Sequence, residues 1–390
     1  MDRDQIRKDT PYCGDKLFLN SAGSSLVPTV VVEKTKEYLD DEQRLGGYKV
    51  KDLREAEINE FYSEAASLIN CEAHNIAFTH DATDAYAKAL SSFDFKPGDK
   101  IVTSNDDYIS NQINFLSLQK RFNVEILRTD NLPNGDLDLP QLETLIQNNN
   151  PKLVAITHIP TNSGLVQDVE AVGRMCEKYG HTFLVDACQS VGQIPVDVKK
   201  IKCDFLSTTG RKYLRGPRGT GFLFISDKML DAGHAPLFVD MRGADWTGKD
   251  SYLLQRHARR FETWESPYAL IIGLKEAINY ANQIGIEVIH QYNTKVIGRL
   301  RENLSTIPEV TMFDKGSTTC NLLTFKKQGK SLQEMEKWLT THHVFYSVSE
   351  RSSAQIDFER KGIDWAIRLS PHYFNTLEEM DRVSEIIREM

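Results

Sequence analysis

Short apolar runs that recur between helical patterns constrain this chain more than any other feature. They lie at 76–79, 101–104, 124–127, 153–157, 182–186, 204–207 and 221–225. Between them, helical spacing of apolar residues recurs near 83–90, 111–121, 139–147 and 168–179. A strand with one wet face alternates apolar and polar residues, whereas a continuous apolar run is buried on both faces. The pattern therefore predicts a mostly parallel sheet with helices packed on either side, an α/β architecture. Two helices precede it, at 28–46, opened by Pro28 where a missing N–H costs least, and at 55–70. The last third differs. A long helical region over 267–304, broken near Ile284–Gly285, leads to strands at 322–325, 344–348 and 365–370 and helices at 332–341 and 377–389. That α+β pattern predicts a smaller C-terminal domain.

Charge and cysteine usage exclude several classes. Lys and Arg number 47 against 55 Asp and Glu, a net charge of −8, which disfavours a nucleic-acid partner. The basic stretch Arg256–Arg260 is the local exception and reads equally as a solvated face, an ion-pair site or a binding patch. No apolar run approaches the roughly 20 residues that span a bilayer. The polar start Met1-Asp2-Arg3-Asp4-Gln5 lacks the apolar core of a secretory signal. The six cysteines are scattered, with no C-x-x-C pair. Neither a zinc ribbon nor a disulfide scaffold is expected, and no metal site is read from the sequence. The expectation is a cytoplasmic enzyme with reduced thiols.

In open α/β sheets ligands sit beyond the carboxyl ends of the strands, so the residues that end each run carry the chemistry. The run at 182–186 ends on Asp186. An acid there can ligate a metal, cap the next helix or hold a protonated ring nitrogen. Lys212 lies 26 residues further on, between a hydroxyl/glycine turn and Gly216-Pro217-Arg218-Gly219. Buried or cation-flanked lysines lose proton affinity and act as amine nucleophiles; a surface basic loop is the other reading. His80-Asp81-Ala82-Thr83 follows a strand and precedes a helix, the geometry of an anion site. Gly216–Gly221 precedes a strand and not a helix, so it is no dinucleotide fingerprint. A lysine, an acid and an anion site together are what pyridoxal 5′-phosphate needs.

Asp186-Ala187-Cys188-Gln189-Ser190-Val191-Gly192, Cys203-Asp204-Phe205, Thr209-Gly210-Arg211-Lys212 and Gly216-Pro217-Arg218-Gly219-Thr220-Gly221-Phe222-Leu223 resemble the class V aminotransferase/cysteine desulfurase group of fold-type I pyridoxal-phosphate enzymes. The resemblance spans nearly the whole chain. It implies a seven-stranded sheet in a large domain over 26–280, a small domain over 281–390 joined by the N-terminal segment 1–25, and a homodimer. It implies that Lys212 forms the Schiff base and moves the Cα proton, that Asp186 pairs with the pyridine nitrogen and that Gln189 meets the phenolic oxygen. Ala82, Thr83, Thr209 and Arg211 fall at the phosphate, with Arg211 where the family usually has histidine. Tyr108 matches the ring-stacking position, where many desulfurases carry histidine, and Thr161 stands where the family often has asparagine. Arg368 matches the arginine that binds the substrate carboxylate, and Ala22-Gly23 the N-terminal loop that closes over it.

The resemblance also bears on the reaction. A cysteine desulfurase needs a thiol nucleophile on a mobile loop shortly before the carboxylate arginine. The segment 349–357, Ser-Glu-Arg-Ser-Ser-Ala-Gln-Ile-Asp, has none, which counts against persulfide formation on the protein. His158 to Gly164, Arg260 to Glu265 and Ser370 to Thr376 are similar to the isopenicillin N epimerase-like branch, which includes the hercynylcysteine sulfoxide lyase of ergothioneine biosynthesis. Trp264-Glu265 replaces the Gly-Thr of desulfurases, whose threonine reaches the partner subunit's phosphate. The sequence-based expectation is thus a C–S lyase that eliminates a sulfenate from a cysteine-derived sulfoxide, with an epimerase or an aminotransferase as alternatives. Arg351 and His372 are candidate substrate contacts beside Tyr108; a satisfied wall residue is the other reading of His372.

Overall fold

The computed structural model describes residues 1–390. Seven strands form the central sheet: Ile76–Thr79 (β1), Lys100–Ser104 (β2), Glu125–Thr129 (β3), Leu153–Thr157 (β4), Phe183–Asp186 (β5), Phe205–Thr209 (β6) and Gly221–Ile225 (β7). Their order is β1-β7-β6-β5-β4-β2-β3. Strands β2 to β6 run parallel, and β7 is antiparallel to both its neighbours. The expected mostly parallel α/β sheet is thus the fold's centre. The continuous apolar runs have the anticipated cause. Val154, Ile156 and Val185 enter one apolar layer with Phe61 and Ile272, whereas Leu153, Ala155 and Leu184 enter the other with Phe115 and Ala85. The edge strand β3 is the most open.

Helix Tyr268–Ile284 ends at Gly285, whose φ of +88° turns the chain into helix Ile286–Ser305. That second helix and the C-terminal helix Leu377–Glu389 cover a four-stranded antiparallel sheet. Its order is Val310–Met312, Leu323–Lys327, Trp365–Leu369, Ser347–Glu350. The N-terminal strand Leu17–Phe18 pairs in parallel with Val344–Phe345, and Leu17 and Leu19 join the same apolar layer. No helix is long and apolar enough to cross a membrane.

Three elements depart from the sequence pattern. Helix Gly47–Leu53 and helix Gln355–Lys361 are short. The hairpin Ala244–Gly248 with Ser251–Leu254 is mostly exposed, so it shows no buried periodicity to read. In the basic stretch at 256–260, Arg256 is exposed, His257 and Arg259 are half-buried, and Ala258 and Arg260 are buried. Arg260 is 3% exposed and donates to the carbonyls of Leu230 and His234, while the Arg259 guanidinium lies 3.7 Å from the Tyr62 ring centroid.

Candidate active site

The carboxyl ends of β4, β5 and β6 point to one place, and the residues singled out from the sequence gather there. Asp186 closes β5 and is 3% exposed. Its Oδ1 accepts the Cys188 N–H at 2.9 Å, and its Oδ2 accepts from the Asn111 amide at 2.9 Å. Asn111 sits in helix Ile109–Phe122 (α1), one turn after Asp107, and the same amide nitrogen donates to Asp107 Oδ1 at 3.0 Å. Asp107 also takes hydrogen bonds from Gln112 at 2.8 Å and from the Thr157 hydroxyl. Burial pushes the Asp107 carboxyl above the ordinary aspartate range, and the charge of Asp186 pushes it further. Two acids, one of them buried, therefore share one amide, which fixes the direction of Asp186.

The lysine enters on the loop after β6. Gly192, with φ +94°, lets the turn after Asp186 press on this loop; a Cβ there would lie 2.6 Å from the Leu214 nitrogen. Lys212 is 7% exposed, and its Nζ lies 5.7 Å from the Tyr108 ring centroid. Burial pushes the Lys212 amine below the ordinary lysine range; Arg211 and Arg368 add to this, and Cys188 and Asp186 oppose it. Such an amine is closer to its neutral, nucleophilic form at neutral pH than a surface lysine.

Beside Lys212 is a cavity of about 250 Å³ lined by Ala82, Thr83, Tyr108, Cys188, Thr209, Arg211 and Arg218, among others. Ala82 and Thr83 open helix Ala82–Ser91, whose cap is the Asp81 side chain, accepting the Asp84 N–H at 2.9 Å. Gly221 allows β7 to run against that helix start: a Cβ would meet the Thr208 carbonyl oxygen at 2.4 Å and Asp81 at 3.1 Å. Arg211 Nη1 is buried without a partner. The backbone amides of a helix start and a guanidinium thus converge where an anion would sit.

Arg368, in the strand Trp365–Leu369, is 6% exposed. Its Nη1 reaches the Thr161 carbonyl only at 3.5 Å, and its Nε has no partner. Burial depresses its pKa to about 10, with the positive charge of Arg211 adding to the effect. A buried guanidinium without a carboxylate is costly unless an anion arrives to pair with it. The N-terminal loop lies close by. The Gln189 amide donates to the Ala22 carbonyl at 3.2 Å, and the Ala22 N–H donates to Ser370 Oγ at 3.0 Å. A side chain at Gly23 would meet Asn20 at 2.6 Å.

Two further candidate contacts, His372 and Arg351, are absent from the lining of the Lys212 cavity, as is Arg368. His372 is fully buried; its Nε2 lies 2.8 Å from the Tyr213 carbonyl and its Nδ1 3.2 Å from the Asn293 amide. It is a hydrogen-bonded wall residue, and burial holds it well below the ordinary histidine range. Arg351 is part-exposed in the turn Arg351–Ser353, 3.7 Å from Asp364, and is not among the side chains lining the Lys212 cavity. Sequence reasoning missed Asp107 and Asn111. The polar cluster Asp106-Asp107-Tyr108 followed by Asn111 at a helix start was the available signal.

A buried low-pKa lysine, a directed carboxylate at a strand end and an anion cradle at a helix start, on this sheet, define a fold-type I pyridoxal-phosphate enzyme. The unpartnered Arg211 Nη1 and Gln189 Oε1 and the unpaired Arg368 leave polar groups for that cofactor and an amino acid to satisfy. The chain belongs to the class-V aminotransferase family, whose model matches residues 17–383. It is 28% identical to a probable cysteine desulfurase of Methanothermobacter thermautotrophicus, over all of this chain and 98% of that one. Among solved structures it is similar to the apo cysteine desulfurase of Thermococcus onnurineus NA1, at a TM-score of 0.91 and 27% identity over 99% of this chain and 97% of that one. It shares the fold of C-DES, solved with glycine covalently linked to its pyridoxal-phosphate cofactor, at a TM-score of 0.87 and 20% identity over 98% and 99% of the two chains.

These likenesses correct the expected reaction. The relatives carry the name cysteine desulfurase, the activity that the absent loop cysteine had counted against. Neither the sulfoxide-lyase expectation nor its epimerase and aminotransferase alternatives find support among them.

Proposed function

We propose that this chain is a pyridoxal-phosphate-dependent enzyme that removes sulfur from cysteine, a cysteine desulfurase in the broad sense. The observation that carries the proposal is the full-length likeness to proteins named cysteine desulfurases, at a site where the charge of a buried, unpaired Arg368 reaches the buried Lys212 amine. Held on Lys212, the cofactor supplies an electron sink for the substrate's Cα.

The remaining work falls to side chains. Arg368 takes the substrate carboxylate, a planar two-point task suited to guanidinium. Ala22 and Gly23 close the loop above it. Lys212, as a neutral amine, takes the proton from Cα. Asp186, held by Asn111 and the Cys188 N–H, would keep a proton on the pyridine nitrogen. Tyr108 would cover the ring, and Ala82, Thr83, Thr209 and Arg211 would hold the phosphate.

A homodimer is part of the proposal. Trp246, Tyr252 and Leu253 on the exposed hairpin lie 62–82% exposed, with Phe238 and Met241 nearby in the chain. An apolar patch of this kind favours burial against a second copy. The six free cysteines suit a reducing compartment, the cytoplasm.

The test is product analysis of the cofactor-loaded enzyme with L-cysteine. Alanine formation supports the proposal. Absence of alanine over a range of cysteine concentrations, with the cofactor bound, refutes it.

A further inference from the structure

Removing sulfur from cysteine as sulfane sulfur needs a nucleophile to receive it, and the nucleophile is a thiolate. The six cysteines of this chain offer no suitable one. Cys13, Cys176, Cys203 and Cys320 are buried in apolar layers. Cys71 follows helix Glu55–Ile69 and is packed against the same core. Only Cys188 lines the Lys212 cavity. It sits in the turn that holds Asp186, its N–H bonded to that carboxylate at 2.9 Å, and burial together with that acid pushes its thiol above the ordinary cysteine range, away from the thiolate.

The segment where a mobile thiol loop would lie is built differently. Arg351–Ser353 is a tight turn, and Gln355–Lys361 is a helix anchored to the large sheet's loops. Lys315 Nζ bonds Asp357 Oδ1 at 2.8 Å and Asp106 Oδ1 at 2.5 Å, Lys361 Nζ bonds Asp357 Oδ2 at 2.8 Å, and the Lys361 amine also reaches the Asn162 carbonyl at 2.9 Å. Asp357 is 7% exposed and Asp106 3%. The buried ion cluster thus fastens helix Gln355–Lys361 through Asp357 and Lys361. Between it and α1 a cavity of about 330 Å³ opens. Its lining includes Asp107 and Ile109, the residues on either side of Tyr108, together with Ser352, Ser353 and Ile356. This space, bordered by the residues that flank Tyr108, is of small-molecule size.

We infer that the sulfur acceptor is a low-molecular-weight thiol from solution, such as a second molecule of cysteine, and not a cysteine of this chain. This rests on the desulfurase reading above. The acceptor thiolate attacks the substrate Sγ. The new S–S bond forms as the Cβ–Sγ bond breaks, the Cβ–Sγ electron pair stays with the substrate carbon, and Cβ takes a proton. One cysteine and one thiol thus become one alanine and one persulfide, with no outside oxidant or reductant.

The test is a single turnover of holoenzyme with L-cysteine kept below the enzyme concentration, with and without 2-mercaptoethanol. Alanine is counted, small persulfides are trapped by alkylation, and the alkylated protein is mapped by mass spectrometry. The inference expects alanine to stall near zero without added thiol, to rise at least tenfold with it, and the persulfide to be small. Full alanine without added thiol, with one sulfur gained on Cys188 or any other peptide, overturns the inference and leaves the desulfurase reading standing. Pyruvate in place of alanine, or turnover restored only by a protein thiol, also overturns it. No alanine under any condition, in single or multiple turnover, removes the desulfurase reading and the inference with it.

Discussion

Replacing Arg368 with methionine separates the cost of the site from its use. The guanidinium is buried and has only the 3.5 Å contact with the Thr161 carbonyl. Its pKa falls from 12.5 to about 10, a difference worth about 3 kcal/mol. The sign follows from linkage. Near neutral pH the group is charged both folded and unfolded, and a cation whose folded pKa is depressed destabilises the fold wherever it stays charged. Methionine keeps much of the length and removes the charge, so Arg368→Met should gain up to about 3 kcal/mol in a urea titration without substrate. Losing a charge-assisted partner of the carboxylate costs about 2–5 kcal/mol, so kcat/KM for L-cysteine should fall by about thirtyfold or more. Arg368→Lys keeps the charge but not the fork and should recover only part of the rate. A less stable Arg368→Met variant with an unchanged KM would refute both halves of the reasoning.

Other outcomes follow from the buried charges. Lys315→Ala leaves Asp106 and Asp357 with Asn131 and Lys361 as their remaining partners and should cost about 3 kcal/mol in urea unfolding; a loss below about 0.5 kcal/mol would show that the cluster is solvated. Burial pushes His158 down to about 4, below its unfolded value of about 6.5. Its contribution is fully present above pH 6.5 and is lost as the pH falls toward 4, because the unfolded chain takes up the proton first. Stability measured by denaturant at pH 7 and pH 5 should fall, and His158→Phe should fall less; equal slopes for the two proteins would contradict the assignment.

Much of the fold was legible because its strands are buried on both faces. Val154 and Leu153 feed opposite layers, so the run at 153–157 could not alternate, and its continuity marked a parallel sheet. The hairpin at 244–254 has no buried face within the chain and left no pattern. Asp186 and Lys212 were legible because ligands in such sheets gather at strand ends, within a few residues of the apolar runs. Asn111 was not, since its role depends on a helix that brings it across to an acid 75 residues away in sequence. His372 illustrates a limit of motif reading: the stretch around it directs the chain, but its ring is spent on Tyr213 and Asn293. The reaction was the least legible part. The missing cysteine at 349–357 bears on where the sulfur goes, not on whether cysteine is the substrate.

The most direct test of the central claim is to load the chain with pyridoxal 5′-phosphate, reduce it with borohydride and map its peptides by mass. The account predicts one phosphopyridoxyl group, on Lys212, and none on Lys212→Ala. The label on another buried lysine, such as Lys275 or Lys327, or an absence of stoichiometric labelling, would contradict it.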